Sequence, residues 1–415
     1  MTDTHIAPQP WMQAPATIEV MTALGAAGGA PRFVGGCVRD ALAGRPVKDI
    51  DIATPLSPEA VMAALRNAGI KTVPTGIAHG TVTAVVAHTP FEITTLRIDV
   101  ETYGRHAKVA FTDDWVADSA RRDLTINALS CEPDGTLHDP FGGAEDLRAG
   151  RIRFVGDARA RIEEDHLRLL RFFRFQAHYG NTAPEPETLE VAASLAPKLR
   201  RLSGERVRDE LIKLLRAADP VPVIEIMLAH AVLQQVLPVS GTTAVLRAVL
   251  RCNTADEEDA DPIVRLAALI EPDGAKANEA AAHLRFSNRD RSALIALAEP
   301  EIHLDPALHP RDRWRTLRKL GVPLYRALLR LDWARRHAGD DTRPDDVFFQ
   351  ALDEAEDLAA KDFPLRGADI LDLGVPQGPD LGRLLEAVEI WWAEDGFRAS
   401  RDACLARLKA AIDAP

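Results

Sequence analysis

The sequence is short of aromatic residues, of cysteine and of long apolar runs, and each shortage removes a class of protein. Its four cysteines, Cys37, Cys131, Cys252 and Cys404, are scattered over 415 residues without a Cys-x-x-Cys pair. That spacing argues against a zinc site and against a disulfide framework, so a reducing cytoplasm is the expected compartment. No segment approaches the roughly 20 consecutive apolar residues that cross a bilayer, and no membrane association is expected. Residues 1–28 carry neither a basic n-region nor a continuous apolar stretch, and read as an N-terminal leader rather than a signal peptide. Aromatics are only 5% of the chain, while Ala, Leu and Arg dominate its second half, a composition that favours helix.

The formal charge of −12 also lacks the basic excess common in proteins that hold nucleic acid. Net charge governs solubility, whereas a binding site depends on where the cations sit. Here they cluster: Arg148, Arg151, Arg153, Arg159, Arg161, Arg168, Arg171 and Arg174 form one group, and Arg311, Arg313, Arg315, Arg318 and Lys319 another. Acidic runs such as Asp256–Asp259 supply compensating charge. Such clusters serve either as anion-binding surfaces or as solvated, salt-bridged helix faces.

The length calls for more than one core. Residues from about 30 to 150 alternate strand and helix signals. Arg32–Val34 reads as a short strand stopped by Gly35–Gly36, Cys37–Ala43 as a helix and Lys48–Ile52 as a half-buried strand. Pro58–Ala68 reads as a helix, and Thr81–Ala87 and Phe91–Leu96 as a hairpin joined through His88–Pro90. Beyond about residue 155 strand signals almost vanish. Glu163–Tyr179, Leu189–Leu202, Arg206–Ala217 and Val223–Val236 have helical apolar spacing. The expected fold is therefore α+β, a small mixed sheet with helices followed by an all-α remainder. The boundaries drawn are 29–150 for the α/β head, 151–220, 221–340 and 341–415.

Two features of the head carry chemistry. Phe33-Val-Gly35-Gly36-Cys-Val-Arg39-Asp40 puts two glycines between a strand and a helix, where free N–H groups favour an anion; the same pattern also makes an ordinary tight turn. Asp49 and Asp51 are two apart on the expected strand, so both carboxylates would share a face. Adjacent carboxylates repel unless a cation neutralises them, and hard oxygen ligands suit Mg²⁺, although an exposed acidic strand edge looks the same. Taken together, the Gly-Gly turn with Arg39 would hold a triphosphate, and Asp49 and Asp51 would hold metal for phosphoryl transfer. Glu92, on the Phe91–Leu96 strand, is the candidate third carboxylate, or else simply a solvent-facing strand residue.

An ordered set of motifs resembles the class II tRNA nucleotidyltransferases, a family that includes bacterial poly(A) polymerases and belongs to the polymerase-β-like superfamily. Gly35-Gly36-Cys-Val-Arg39-Asp40 followed by Asp49-Ile-Asp51 resembles its first signature. Ala120-Arg121-Arg122-Asp123-Leu-Thr-Ile-Asn127-Ala resembles the second, which implies nucleotide and ribose contacts by Arg122, Asp123 and Asn127. Asp139-Pro-Phe-Gly142-Gly143 resembles the head–neck hinge, Glu164-Asp165-His-Leu-Arg168-Leu-Leu-Arg171-Phe-Phe-Arg174 the nucleotide-selecting helix, and Ser203-Gly204-Glu205-Arg206 the fifth signature. The resemblance implies a nucleotidyltransferase head, a neck at 151–220, a helical body and a tRNA-binding tail.

It further implies addition of CCA to the tRNA 3′ end from CTP and ATP with Mg²⁺, without membrane or obligate protein partner. Poly(A) addition, partial CC- or A-addition and an inactive RNA-binding scaffold remain as alternatives; retention of both Asp49 and Asp51 argues against the last. Asp165 and Arg168, three apart on one expected helix, offer an acceptor and a donor that match cytosine and adenine but not uracil or guanine. An ordinary salt bridge has the same spacing. Arg171 and Arg174 continue that face, toward either Asp165 or the triphosphate. Asp99–Ala107, with Tyr103 before Gly104-Arg105, resembles the flexible loop of CCA-adding members. Trp391–Trp392 reads as packing.

Overall fold

The computed structural model describes residues 5–77, 80–103, 106–253, 261–305, 310–359 and 361–413. These form two compact units, residues 1–237 and 238–415. Gly104–Arg105 of the expected loop and the acidic run Asp256–Asp259 lie outside the described residues.

The first unit is built on a seven-stranded mixed sheet. In chain order its strands are β1 (Arg32–Val34), β2 (Asp51–Thr54), β3 (Lys71–Gly76), β4 (Thr81–Val86) and β5 (Thr89–Thr95). A separate hairpin follows, β6 (Arg97–Tyr103) and β7 (His106–Phe111), and β8 (Ser130–Cys131) and β9 (Leu137–His138) return to the sheet. The order across the sheet is β3-β4-β5-β2-β1-β8-β9. Only β2 and β5 run parallel among the named pairings, with Asp51 opposite Glu92 and Ile52 opposite Ile93. Apolar side chains at alternate positions (Phe33, Ile52, Val82, Ala84, Phe91, Ile93) fill the core beneath the sheet, as a period of two requires.

Helices pack around this sheet: α1 (Pro15–Ala26), α2 (Gly36–Leu42), α3 (Pro58–Asn67), α4 (Trp115–Ala120) and α5 (Gly143–Ala149). The α1 segment, set apart above as a leader, belongs to the core: Val20, Met21 and Leu24 are buried in the same cluster as Phe33 and Ile52. At the start of α5, Asp139 accepts from the N–H groups of Gly143 and Ala144 at 2.7 and 2.9 Å. Gly143 is required there because a Cβ would stand 2.1 Å from the Thr125 carbonyl oxygen. All-helical chain follows as α6 (Ala158–Glu164), α7 (Leu167–Tyr179), α8 (Pro186–Leu195), α9 (Gly204–Leu215) and α10 (Val221–Ala229). One face of α7 buries Leu169, Leu170, Phe172 and Phe173.

Two further readings that bear on the site need correction. The strand expected over Lys48–Ile52 begins only at Asp51, because its partner β1 is three residues long and pairs with Ile52 and Ala53. Asp49 therefore lies in the preceding loop and is exposed. The helix expected over Glu163–Tyr179 breaks at Asp165, whose φ of −150° and ψ of 108° are extended. Asp165 Oδ1 accepts the Leu167 N–H at 3.1 Å, so the break is a local helix start.

The second unit is helical among its described residues, with ten helices from Ala244–Arg251 to Arg401–Ile412. Trp314, Ile370, Trp392 and Leu408 form an apolar cluster there, in line with the packing role read for Trp392. Of the second basic cluster, Arg313 pairs with Glu354, Arg315 with Glu386, Arg318 with Glu389 and Lys319 with Glu301. Arg313 is buried in its ion pair, while the paired Arg315, Arg318 and Lys319 remain exposed.

Candidate active site

A cleft of about 700 Å³ opens in the first unit. Its floor is Gly35 and Gly36 with Asp51 and Glu92, one wall is Arg97, Arg121, Arg122, Asp123 and Asn127, and the other is Asp165, Arg168, Arg171, Arg174 and Arg206. Of the candidate catalytic and nucleotide-binding residues, Gly35, Gly36, Arg39, Asp51, Glu92, Arg122, Asp123, Asn127, Asp165, Arg168, Arg171 and Arg174 line this one space, and Asp49 does not.

Gly35 has a φ of +68°, which lets the chain turn sharply from β1 into α2. A Cβ at Gly35 would reach 3.0 Å from Arg122 Nη1, so the glycine also admits that guanidinium to the cleft floor. Beside it, Asp51 and Glu92 stand at one register position of adjacent parallel strands. Burial raises the Asp51 pKa; the charges of Glu92 and Asp49 push it further up, partly opposed by Arg122 and Arg39. The floor thus carries negative charge that Arg122 and Arg39 only partly compensate, the condition a hard cation relieves. Among the described residues no three His, Cys, Asp or Glu side chains gather tightly enough to cage a metal alone. That donor set fits Mg²⁺, which ordinarily takes one or two carboxylates and completes its shell with water and phosphate.

Asp123 organises the wall. Its Oδ1 accepts from Leu124 N–H at 2.9 Å and Asn127 Nδ2 at 3.1 Å, and its Oδ2 accepts from Arg171 Nε at 2.6 Å. Burial alone would raise its carboxyl; the Arg171 charge and these hydrogen bonds override it and bring it down to about 2. Arg171 is correspondingly held above its usual value: burial opposes this, and the Asp123 charge prevails. Asn127 Oδ1 in turn accepts from Arg39 Nη1 at 2.7 Å. Arg174 donates to Glu210 Oε2 at 2.5 Å. Burial lowers its pKa although Glu210 opposes the shift.

The Asp165–Arg168 pair read from spacing is not a direct ion pair. Asp165 Oδ2 accepts from Arg206 Nη2 at 2.6 Å. Arg168 donates to Glu164 at 2.5 Å and to the carbonyl oxygens of Arg161 and Arg121 at 3.3 and 3.0 Å. Neither group is saturated: a carboxylate has about four acceptor sites and a guanidinium five N–H donors. Both face the cleft with capacity left for a ligand. Arg206 and the buried Asp118 were not picked from the sequence as site residues. Asp118 accepts from Arg97 N–H and Arg121 and pairs with Arg122. Their signals were present, Arg206 in the Ser203–Arg206 motif and Asp118 one helical turn before Arg121.

Comparison with known proteins finds matches along most of the chain. Residues 31–153 match the poly A polymerase head domain. Residues 183–240 match a segment described as a probable RNA and SrmB-binding site of polymerase A. The mitochondrial CCA tRNA nucleotidyltransferase 1 of Danio rerio is 34% identical over 391 residues, 91% of this chain and 86% of its own length. The Homo sapiens protein of the same name is 34% identical over 389 residues, with the same coverage. The crystal structure of the Bacillus stearothermophilus CCA-adding enzyme in complex with CTP superposes with a TM-score of 0.71 at 25% identity. It covers 97% of this chain and 98% of that one. Among the described residues no helix is long and apolar enough to cross a membrane.

Proposed function

The chain belongs to the CCA tRNA nucleotidyltransferase family, and from that premise we propose that its cleft adds C, C and A to the 3′ end of tRNA. CTP and ATP are the donors and pyrophosphate leaves. The observation that carries the assignment is the pairing of Asp51 with Glu92 on a floor walled by arginines and by the Asp165–Arg168 edge.

In this reading Gly35 and Gly36 let the triphosphate approach the backbone, and Arg39 and Arg122 balance its charge. Asp51 and Glu92 hold Mg²⁺, with Asp49 adding negative charge from the loop before β2. Bound there, Mg²⁺ would supply Lewis-acid charge next to the tRNA 3′-hydroxyl and the pyrophosphate leaving group. Asn127 meets the sugar. Asp165 accepts from the amino group that cytosine and adenine share, and Arg168 donates to the adjacent ring nitrogen. Uracil and guanine reverse that order and leave buried groups unpaired, at about 1–3 kcal/mol per lost contact. Arg171 and Arg174, already tied to Asp123 and Glu210, set the charge of the wall. The four buried free thiols are compatible with the proposed cytoplasmic compartment.

The test is an incorporation assay with tRNA lacking its three terminal nucleotides, Mg²⁺, and CTP and ATP given singly and together. Addition that stops after C-C-A supports the assignment. Long A tracts on general RNA would make the protein a poly(A) polymerase, and failure to transfer would leave an RNA-binding scaffold.

A further inference from the structure

We propose that Tyr179 and Asp40, neither of which lines the cleft, are positioning residues that set the sugar selectivity of the site by locking Asn127 through Arg39. This rests on the nucleotide reading of the cleft given above.

The linkage is continuous. Tyr179 is the last residue of α7, and its hydroxyl donates to Asp40 Oδ1 at 2.6 Å. Asp40, on α2, also takes both ends of the Arg39 fork, Nε at 3.0 Å and Nη2 at 3.1 Å. The guanidinium lies over two rings of α7, 4.7 Å from the Tyr179 centroid and 5.0 Å from that of Phe175. With its plane held by the rings and two of its nitrogens held by Asp40, Arg39 has Nη1 left for Asn127 Oδ1.

Donor and acceptor chemistry then fixes the Asn127 amide in one sense. A guanidinium only donates and an ionised carboxylate only accepts. The Asn127 oxygen must therefore face Arg39, and its nitrogen must face Asp123. That leaves one Nδ2–H of a buried side chain as a donor on the cleft wall. A ribose hydroxyl can accept it, and a 2′-deoxy sugar that cannot reach it leaves it unpaired. Without the Tyr179 hydroxyl, Asp40 and Arg39 lose one restraint, and Arg39 holds the Asn127 amide, with its remaining Nδ2–H, less firmly in place. The clasp also ties α2 to the end of the helix that carries Arg171 and Arg174.

The experiment compares kcat/KM of full-length protein for CTP against dCTP, and for CTP against UTP, on tRNA lacking its terminal CCA. Tyr179→Phe should lower the ribo-to-deoxy preference by about fivefold, the scale of one hydrogen bond, without changing the CTP-to-UTP preference. Asp40→Asn should act in the same direction. Asn127→Ala should lower the preference further, and adding Tyr179→Phe to it should change nothing more. The positioning role is overturned if Tyr179→Phe leaves sugar preference intact while Asn127→Ala lowers it. It is equally overturned if both preferences fall together, since that marks general loosening of the fold. An Asn127→Ala protein with unchanged sugar preference would remove the premise that Asn127 meets the sugar, and the proposal with it. A wild-type protein that transfers no CTP would refute the functional assignment itself.

Discussion

Replacing Asp51 by Asn separates what the cleft floor does for folding from what it does for chemistry. The Asp51 carboxylate is penalised on folding, first by burial and then by Glu92 and Asp49. A raised folded pKa means that this penalty is present at neutral pH and fades as the pH falls through the folded value. Asp51→Asn should therefore raise the thermal midpoint of the metal-free protein at neutral pH, while cutting nucleotide transfer by at least about a hundredfold. An unstable or still active variant would contradict the role given to Asp51. Asp123 behaves oppositely. Its carboxyl is held down at about 2 by Arg171, Asn127 and Leu124 N–H against the effect of burial. Its contribution is present above the unfolded value near 4 and is lost as the pH falls toward 2. Asp123→Asn should lose roughly 2 kcal/mol relative to wild type at neutral pH, a gap that narrows progressively below about pH 4. Denaturant titrations at several pH values measure it, and a gap independent of pH would mean that packing rather than charge is at work.

Much of the secondary structure was legible because periodicity reports burial directly. The hairpin of β4 and β5 was placed correctly, but its turn, expected at His88–Pro90, is the two residues Ala87 and His88. The two turn residues, Ala87 and His88, have φ of +48° and +65° without the glycine or asparagine that normally marks such a turn. Helix α1 was missed although Thr17, Val20, Met21 and Leu24 are buried at helical spacing, since its cap residue Ala14 provides no side-chain hydrogen bond. The break between α6 and α7 was hidden for the opposite reason. Buried Ile162 and Leu169 continue one apolar pattern across an extended Asp165, so period alone could not see the interruption. What the break achieves is to aim the Asp165 carboxylate at α9, where Arg206 fixes it. Arg206→Ala should thus leave CTP transfer measurable but admit UTP about tenfold more readily, as a misplaced acceptor loses discrimination worth one good contact. Unchanged base choice in that variant would show that Asp165 needs no brace.

At the scale of the whole molecule, every residue lining the cleft lies between Val34 and Arg206. The first compact unit ends only at Leu237. The core that supports the cleft is drawn from the same unit, from Ile6 through Ala144, and the second unit has its own apolar cluster around Trp314 and Trp392. Boundaries at 150 and 220 follow the change from strand to helix signals, but contact across the chain is set by tertiary pairs such as Tyr179 with Asp40, which no local signal reveals. A unit with its own core is expected to fold without the rest of the chain. A protein ending after Leu237 should accordingly unfold cooperatively and bind CTP within about threefold of the full-length affinity, the scatter expected of independent contributions. Isothermal titration with CTP and Mg²⁺ on both proteins makes the comparison. A loss of about tenfold or more in a fragment that still unfolds cooperatively would mean that residues 238–415 shape the nucleotide cleft, and the independence of the two units would have to be abandoned.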